Sequence, residues 1–575
     1  MRKRSRFLTL LLSVGLFAAA CTGAEGGGGA SNTSGSYPRN ETLFTSGTQW
    51  GPPSNANPFR QGDYATGTVG LLYETLFLYD PLTDKFDPWL AEKDQWVDDK
   101  TYEVTLRDGL TWSDGKPITA EDVAFTINLG KMKTVPYSPL YGSIASVEAV
   151  DGKTTRVTFK EPRYQQWANW VYFNPIVPKH LWEGKSEKDV MQGANFDKPV
   201  GSGPYLYETH DQDRMVWKRN DKWWGKDTLD LTMKPKYIVD VVNTSNEAAL
   251  GQVLQGDIDL SNNFLPGIAS LVKGGYKLQT YYKDAPYMLA ANTTWLIPNT
   301  TKAPMNDPAF RRALAFSIDT DKIVNSVYSN IVEKADPTGL LPTWDKYIDK
   351  NVVSELGPNY NTTEAKGILE EAGYRDTNGD GFVENKDGSP LSLKLATPSG
   401  WTDWNEAGRV IADSAKGAGI QITSETPAAE VVQDQRESGK FDLILNNDRQ
   451  IDNTPWRYYE YIFGLPIQDS QTTINYGRYE NQQAWDLVTK LDETQIDDVA
   501  GMNAIISQLQ RIQLTDEPVI PLWYNGLWAQ YSNTVWTNWP SADSGPKLLP
   551  TMWHGYPQRG SIEMLAELKP APQEK

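Results

Sequence analysis

The chain has 575 residues, with 55 basic against 73 acidic side chains for a net charge of −18, one cysteine and three histidines. That charge repels phosphate backbones and excludes nucleic acid as a partner class; the lone thiol excludes a disulfide framework. His180, His210 and His554 are scattered, which gives no zinc spacing and no Ser-His-Asp triad, and neither a GxxxxGK nor a GxGxxG motif occurs, so no cofactor is expected. Length predicts two or three domains.

The N-terminus reads as a targeting segment. MRKRSR precedes FLTLLLSVGLFAAA, an apolar run too short for a bilayer core, which needs roughly 20 residues. A basic start, a short apolar run and small residues describe a secretory signal over residues 1–20. Ala18-Ala19-Ala20-Cys21 resembles the lipobox of bacterial lipoproteins, which implies lipidation of the Cys21 thiol after cleavage before it. An ordinary signal-peptidase site, leaving a free thiol, is the alternative. Residues 22–36, TGAEGGGGASNTSGS, hold almost nothing to bury and predict a flexible tether with a reach of about 20 Å. Without Arg2, Lys3, Arg4 and Arg6, the 55 basic residues become 51 against 73 acids, a net −22 that serves solubility.

ETLFTSGT predicts a first strand, followed by the loop QWGPPSNANPF. TYEVTL alternates as a strand does, and DG pairs at 108–109 and 114–115 mark turns. Thr119 with Asp122 approximates a capping box that opens a helix. KTTRVTFKEP is a further strand, PVGSGPYLYE a loop entering a strand, and VLQGDIDLS a helix end running into a strand. Asp307-Pro308 opens the helix AFRRALAFSI, with aspartate as cap and proline at the first helical position.

Residues 391–447 alternate strand, helix, strand, helix, strand: LSLKLATPSG, DWNEAGRVIADSAKGAG, IQITSET, AAEVVQDQRESG and KFDLILNN. Short links imply parallel pairing with right-handed crossovers, and ligands of such sheets bind beyond the carboxyl ends of the strands. Gly400-Trp401-Thr402-Asp403-Trp404 and Asn446-Asn447 emerge there. The edge offers flat apolar rings and uncharged carboxamides rather than an acid–base set.

DPWLAEKDQWVDDKTYEVTLRDGLTWSDGKPITAEDVAFT, with its LRxGxxxxDGxPxTAxDV core, then KPVGSGPY, DPAFRRALAFSID, EAKGILEEAGY and DEPVIPLW, occur in that order. Together they resemble the family 5 extracellular solute-binding proteins of ABC transporters. The resemblance implies an α/β, periplasmic-binding-protein-like fold of two lobes around a ligand cleft, with an inserted third subdomain. The implied division is 38–80 with 196–288 and 526–575 as lobe I, 81–195 as its insertion, and 289–525 as lobe II, after the signal (1–20) and the lipidated tether (21–37). It also implies a monomeric receptor outside the cytoplasm, held to the membrane only by its lipid and partnered by permease subunits.

SGTQWGPPSNANPF, DAPYMLAANT, SGWTDW, FDLILNN and LWYNGLW with VWTNWP look most like the branch of that family that binds cello-oligosaccharides. Peptide receptors of the family commonly carry an aspartate in a GWxxD pattern after this strand to hold the peptide amino terminus. Here Asp448 and Asp452 lie near that place, without the Gly-Trp pair and out of register.

A pyranose ring needs aromatic planes for its C–H face and carboxamides for its hydroxyl rim. The expected ligand residues are therefore Trp50, Asn55, Tyr287, Asn292, Trp401, Trp404, Asn446, Asn447, Trp523, Tyr524 and Asn525. Trp401 and Trp404 flank Thr and Asp beside Ser-Gly, which favours exposure. Trp523 has a buried strand as its rival reading, and either Tyr524 or Asn525 should reach the cleft. Trp89, Trp112, Trp223 and Trp224 match framework positions of the family. An oligopeptide ligand is the alternative within the family; a glycoside hydrolase with two carboxylates is the remote one.

DTNGDGFVENKD places Asp376, Asn378, Asp380, Glu384 and Asp387 at EF-hand-like positions 1, 3, 5, 9 and 12, a weak calcium candidate of structural kind that no EF helix follows.

Overall fold

Alternation builds the first sheet. β1 (Thr42–Ser46) is buried throughout, with Leu43 facing one core and Phe44 the opposite one, as a strand covered on both faces requires. The computed structural model describes residues 37–60, 64–449, 451–543, 545–548 and 560–572; the signal, most of the tether and Cys21 lie outside them. In chain order follow β2 (Tyr205–His210), β3 (Arg214–Arg219), β4 (Tyr237–Val241), β5 (Leu260–Ser261) and β6 (Leu278–Thr280). A second sheet takes β7 (Ala290–Pro298), β8 (Glu333–Lys334), β9 (Leu393–Ala396), β10 (Ile422–Glu425), β11 (Leu443–Asn446) and β12 (Ile520–Gly526). The chain then returns to the first sheet as β13 (Gln530–Ser532).

The sheet orders are β6-β13-β5-β1-β4-β3-β2 and β8-β12-β7-β11-β9-β10. β1 is parallel to both β4 and β5, and β9 is parallel to both β10 and β11, the pairing expected from the strand–helix alternation. Helices are α1 (Asn246–Gln255), α2 (Pro308–Ser317), α3 (Thr402–Lys416), α4 (Ala429–Ser438), α5 (Trp456–Phe463) and α6 (Val499–Asp516). Asp307 accepts the Ala309 amide at 3.0 Å with Pro308 at the first helical position, so α2 starts where its cap requires.

β11 divides the second lobe. Leu443 and Leu445 pack with Ala407, Ile411 and Ala415 of α3. Ile444 faces the other way, into Tyr458 and Tyr459 of α5 and Ile505 and Leu509 of α6. Between β1 and β2 lies a four-stranded antiparallel sheet whose Thr101–Leu106 strand buries Tyr102, Val104 and Leu106 in the same core as Leu43. Thr119 opens the helix Ala120–Asn128 by donating its amide to the Asp122 carboxylate at 2.9 Å. In that core the buried Glu74 collects three indole N–H groups, from Trp89 at 2.9 Å, Trp223 at 3.1 Å and Trp224 at 2.8 Å. These framework tryptophans, and Trp112, are buried.

The two segments that cross between the sheets run side by side. β6 pairs antiparallel with β13, β7 with β12, and the Leu527 amide donates to the Leu289 carbonyl at 2.7 Å between them. A hydrogen-bonded two-segment crossover can bend where the strands of either sheet cannot.

Candidate ligand cleft

Two loops leave the carboxyl edges of the sheets and meet. The first turns at Gly47, φ +104, where an added Cβ would lie 2.5 Å from the Asn262 carbonyl carbon; it continues through Gln49 and Trp50. The second turns at Gly400, φ +83, where a Cβ would lie 2.8 Å from the Thr244 carbonyl oxygen of the first lobe. Only glycine allows both the left-handed turn and that backbone approach. The rings of Trp50 and Trp401 then stand 5.4 Å apart at 44°, and Trp401 meets Trp404 edge-on at 4.8 Å. The aromatic corner is thus shared by both lobes. Asn246, the first residue of α1, donates its side-chain amide to Asp403 at 3.1 Å and its backbone N–H to the Gly400 carbonyl at 3.3 Å.

Beside this corner lies a cavity of about 450 Å³. The 48–54 loop and Tyr64 form one wall; Trp401, Trp404 and the end of β11, from Leu445 to Asp448, form another. α4 adds Ala429, Val432, Gln433 and Arg436, one helical face at i, i+3, i+4 and i+7.

The charges of the wall compensate one another. Arg436 Nη1 lies 3.1 Å from an Asp448 carboxylate oxygen, and the Tyr476 hydroxyl donates to the same carboxylate at 3.1 Å. The guanidinium also sits 4.6 Å above the Tyr476 ring. Burial works against the Arg436 charge, but the Asp448 carboxylate and its acidic neighbours together outweigh it and hold the guanidinium's pKa above its usual value. Asp452 is likewise committed: it is buried, accepts from the Tyr172 hydroxyl at 2.5 Å and the Asn453 amide at 2.7 Å, and lies beside the Arg457 charge. Asp403, behind Trp404, has its pKa pushed up to about 6 by burial, against hydrogen bonds from Tyr328 and Asn246.

The cavity brings together Trp50, Trp401, Trp404, Asn446 and Asn447 of the expected residues. The Asn446 carbonyl oxygen accepts from the Tyr461 hydroxyl and, at 2.9 Å, from the Asp448 amide, which leaves its –NH₂ end for other partners. Trp401 is half-buried rather than fully exposed, and Trp404 is only 4% exposed and packs with Ala407 and Leu445, because the third helical position turns its ring into the core.

Six expected residues do not line this cavity. Asn55 shapes its own turn, accepting from the Asn57 amide and donating to Ser54 Oγ, both at 3.0 Å. Tyr287 and Trp523 pack in the second-lobe core. The Tyr524 hydroxyl donates to the Leu340 carbonyl at 2.7 Å and accepts the Asp336 amide at 2.9 Å, tying down a loop. Asn292 and Asn525 face each other as register partners on β7 and β12, both buried. Neither end of the Asn292 carboxamide, nor the Asn525 carbonyl oxygen, has a hydrogen-bond partner among the described residues; the same holds for the Asn243 carboxamide, at the carboxyl end of β4. Each such buried group costs about 1–3 kcal/mol unless a partner satisfies it. Gln49, Tyr64, Gln433 and Arg436 were not read from the sequence; for Gln433 and Arg436 the i, i+3, i+4, i+7 stripe of α4 was the available signal.

In the acidic turn, Asp376, Asp380 and Glu384 bring carboxylate oxygens within 4.8 Å of one another. The turn's own amides occupy them: Gly379 and Gly381 donate to Asp376 at 2.7 and 2.9 Å, Phe382 to Asp380 at 2.9 Å and Thr377 to Glu384 at 2.7 Å. Asn378 donates to Asp380 at 3.1 Å, and Asp387 accepts from Ser389 at 2.9 Å rather than joining the cluster. No helix among the described residues is long and apolar enough to cross a membrane.

The family model for bacterial extracellular solute-binding proteins, family 5 middle, matches residues 85–468. The periplasmic oligopeptide-binding protein of an oligopeptide ABC transporter of Thermotoga maritima, solved with mannohexaose bound, is 43% identical, with a TM-score of 0.89 over 93% of this chain and 99% of that one. The oligopeptide-binding protein AppA of Bacillus subtilis is 26% identical over 526 residues, 90% of this chain and 92% of AppA. Its structure with a nonapeptide, 22% identical by superposition with a TM-score of 0.74 over 92% of this chain and 99% of that one, shares the mixed α/β, two-lobed fold.

Proposed function

Because the chain belongs to family 5 of the bacterial extracellular solute-binding proteins, we propose that it captures neutral oligosaccharides, β-linked glucans such as cello-oligosaccharides, and delivers them to the permease subunits of an ABC importer. One observation carries the ligand class: a cavity with tryptophan faces, carboxamides and no uncompensated charge on the residues that line it. Ring planes cover the C–H faces of pyranoses, and carboxamides meet hydroxyls. The Asn243 carboxamide, buried and unpartnered among the described residues, adds hydrogen-bonding capacity next to Gln49 of the cavity wall, whose carbonyl accepts the Asn243 amide at 2.8 Å. The Thermotoga maritima relative, named for oligopeptides, holds a mannohexaose.

Capture proceeds by closure about the paired crossover segments, which brings Trp50 onto Trp401. The receptor works as a monomer outside the cytoplasm, anchored through Cys21, and it returns its ligand chemically intact.

The second reading is an oligopeptide receptor, favoured by the name and nonapeptide complex of AppA. Against it stand Asp448 and Asp452, the acids nearest the place where an amino terminus would be held, both already paired. Calorimetry of the protein without residues 1–20 against cellohexaose, mannohexaose, maltohexaose and a nonapeptide decides the matter. Binding of a β-linked hexaose with little change between low and high salt is expected. Nonapeptide binding without any glycan binding overturns the ligand class, and new reducing ends in the glycan samples overturn the receptor reading.

A further inference from the structure

We infer that Asp448 and Arg436 form a charge-silencing pair that restricts this cavity to uncharged ligands; the inference rests on the oligosaccharide reading above. Both side chains line the cavity, one from the end of β11 and one from the inner face of α4. They are 3.1 Å apart and retain partial exposure, 34% for the Asp448 side chain and 19% for that of Arg436, so each is reachable from the cavity as well as by its partner. The Tyr476 hydroxyl fixes the carboxylate, and the Tyr476 ring lies under the guanidinium. The pair is therefore held in place by a third residue and is not a mobile surface contact.

The physical argument is symmetrical. A uronate entering the cavity meets a guanidinium whose charge is already matched, while the nearby Asp448 carboxylate repels it. An amine-bearing sugar or a free peptide amino terminus meets a carboxylate already matched, with the guanidinium repelling it. A charged ligand would have to shed water without gaining a partner, which is costly in a confined site. A neutral pyranose loses nothing to the pair and still finds its oxygens and N–H groups as hydrogen-bond partners. Removing either member deprives the other of its nearest opposite charge and shifts the cavity toward ligands that supply that charge.

The test uses Asp448→Asn, Arg436→Met and the double variant, each checked by thermal melting. Calorimetry at low and high salt is run with three probes: mannohexaose, a galacturonic acid hexamer and a glucosamine hexamer. The wild-type protein should take mannohexaose in preference to both charged hexamers. Asp448→Asn should gain about tenfold or more in affinity for the uronate hexamer, lost again at high salt. Arg436→Met should gain similarly for the glucosamine hexamer, and the double variant should return to a neutral preference. If one single variant fails to fold, the other still reads the pair, with the opposite sign. Charge preference unchanged in the folded single variants overturns the inference while leaving the oligosaccharide reading standing. A wild-type protein that binds none of the three hexamers but binds the nonapeptide overturns the oligosaccharide reading itself.

Discussion

Asn246 reaches across the cleft to Asp403: its side-chain amide donates to the carboxylate at 3.1 Å, joining the first turn of α1 in one lobe to the first turn of α3 in the other. The other carboxylate oxygen accepts from the Tyr328 hydroxyl at 3.0 Å, and both Asn246 and Asp403 are buried. The contact lies beside the Trp50–Trp401 pair and ties the two lobes together there.

Asn246→Ala should therefore destabilise the closed form. A buried carboxylate that loses one donor costs about 1–3 kcal/mol, on the order of tenfold in dissociation. Stopped-flow tryptophan fluorescence should show faster ligand release with an association rate close to wild type. Unchanged release would show that the contact does not hold the closed state.

Trp401 and Trp404 should separate under substitution. Trp401 is half-buried at the cavity, so Trp401→Ala should cost about 2 kcal/mol of binding, roughly thirtyfold in affinity, with the fold intact. Trp404 is 4% exposed and belongs to the second-lobe core, so Trp404→Ala should also lower stability by about 3–5 kcal/mol. Melting and calorimetry on the same samples distinguish the two. Equal stability losses would mean that Trp401, too, is a packing residue.

Burial raises the pKa of Glu74 to about 8 and of Asp240 and Asp492 to about 7. Between the ordinary carboxylate range and those values the folded protein holds protons that the unfolded chain releases, so stability falls as pH rises through that window. Acids held below their usual range by partners, such as Glu103 beside Arg156, act at lower pH and with the opposite sign. The melting temperature should accordingly decline from pH 5 to pH 8, and Asp240→Asn should flatten the decline. A melting temperature that rises across this interval contradicts the assignment.

Cys21→Ser should release the protein from the membrane fraction of its native host and leave ligand affinity unchanged, because the residues that line the cavity fall between 48 and 448. Mass spectrometry of the native N-terminus should find acyl chains on Cys21. A native terminus without them removes the anchor.

What the sequence determined by itself was local and periodic. The alternation in TYEVTL, the Asp307-Pro308 start of α2 and the strand–helix–strand run from 391 to 447 all appear as read, because period and capping depend on neighbours a few residues away. The emergence of Trp401 and Asn446 at one sheet edge followed from parallel pairing. The rest needed the tertiary structure, because it depends on which side chains meet across long stretches of chain. Asn246 and Asp403 are 157 residues apart. Trp404, three positions after Trp401, turns into the core by helical rotation, and Tyr524 is claimed by a loop at 336–340 that no local pattern links to it. Whether Asp448 was a free carboxylate or half of an ion pair rested on α4 packing beside β11. Only that packing decided the charge of the cavity, since a carboxylate's availability is set by what stands within hydrogen-bonding distance of it, not by its place in the sequence.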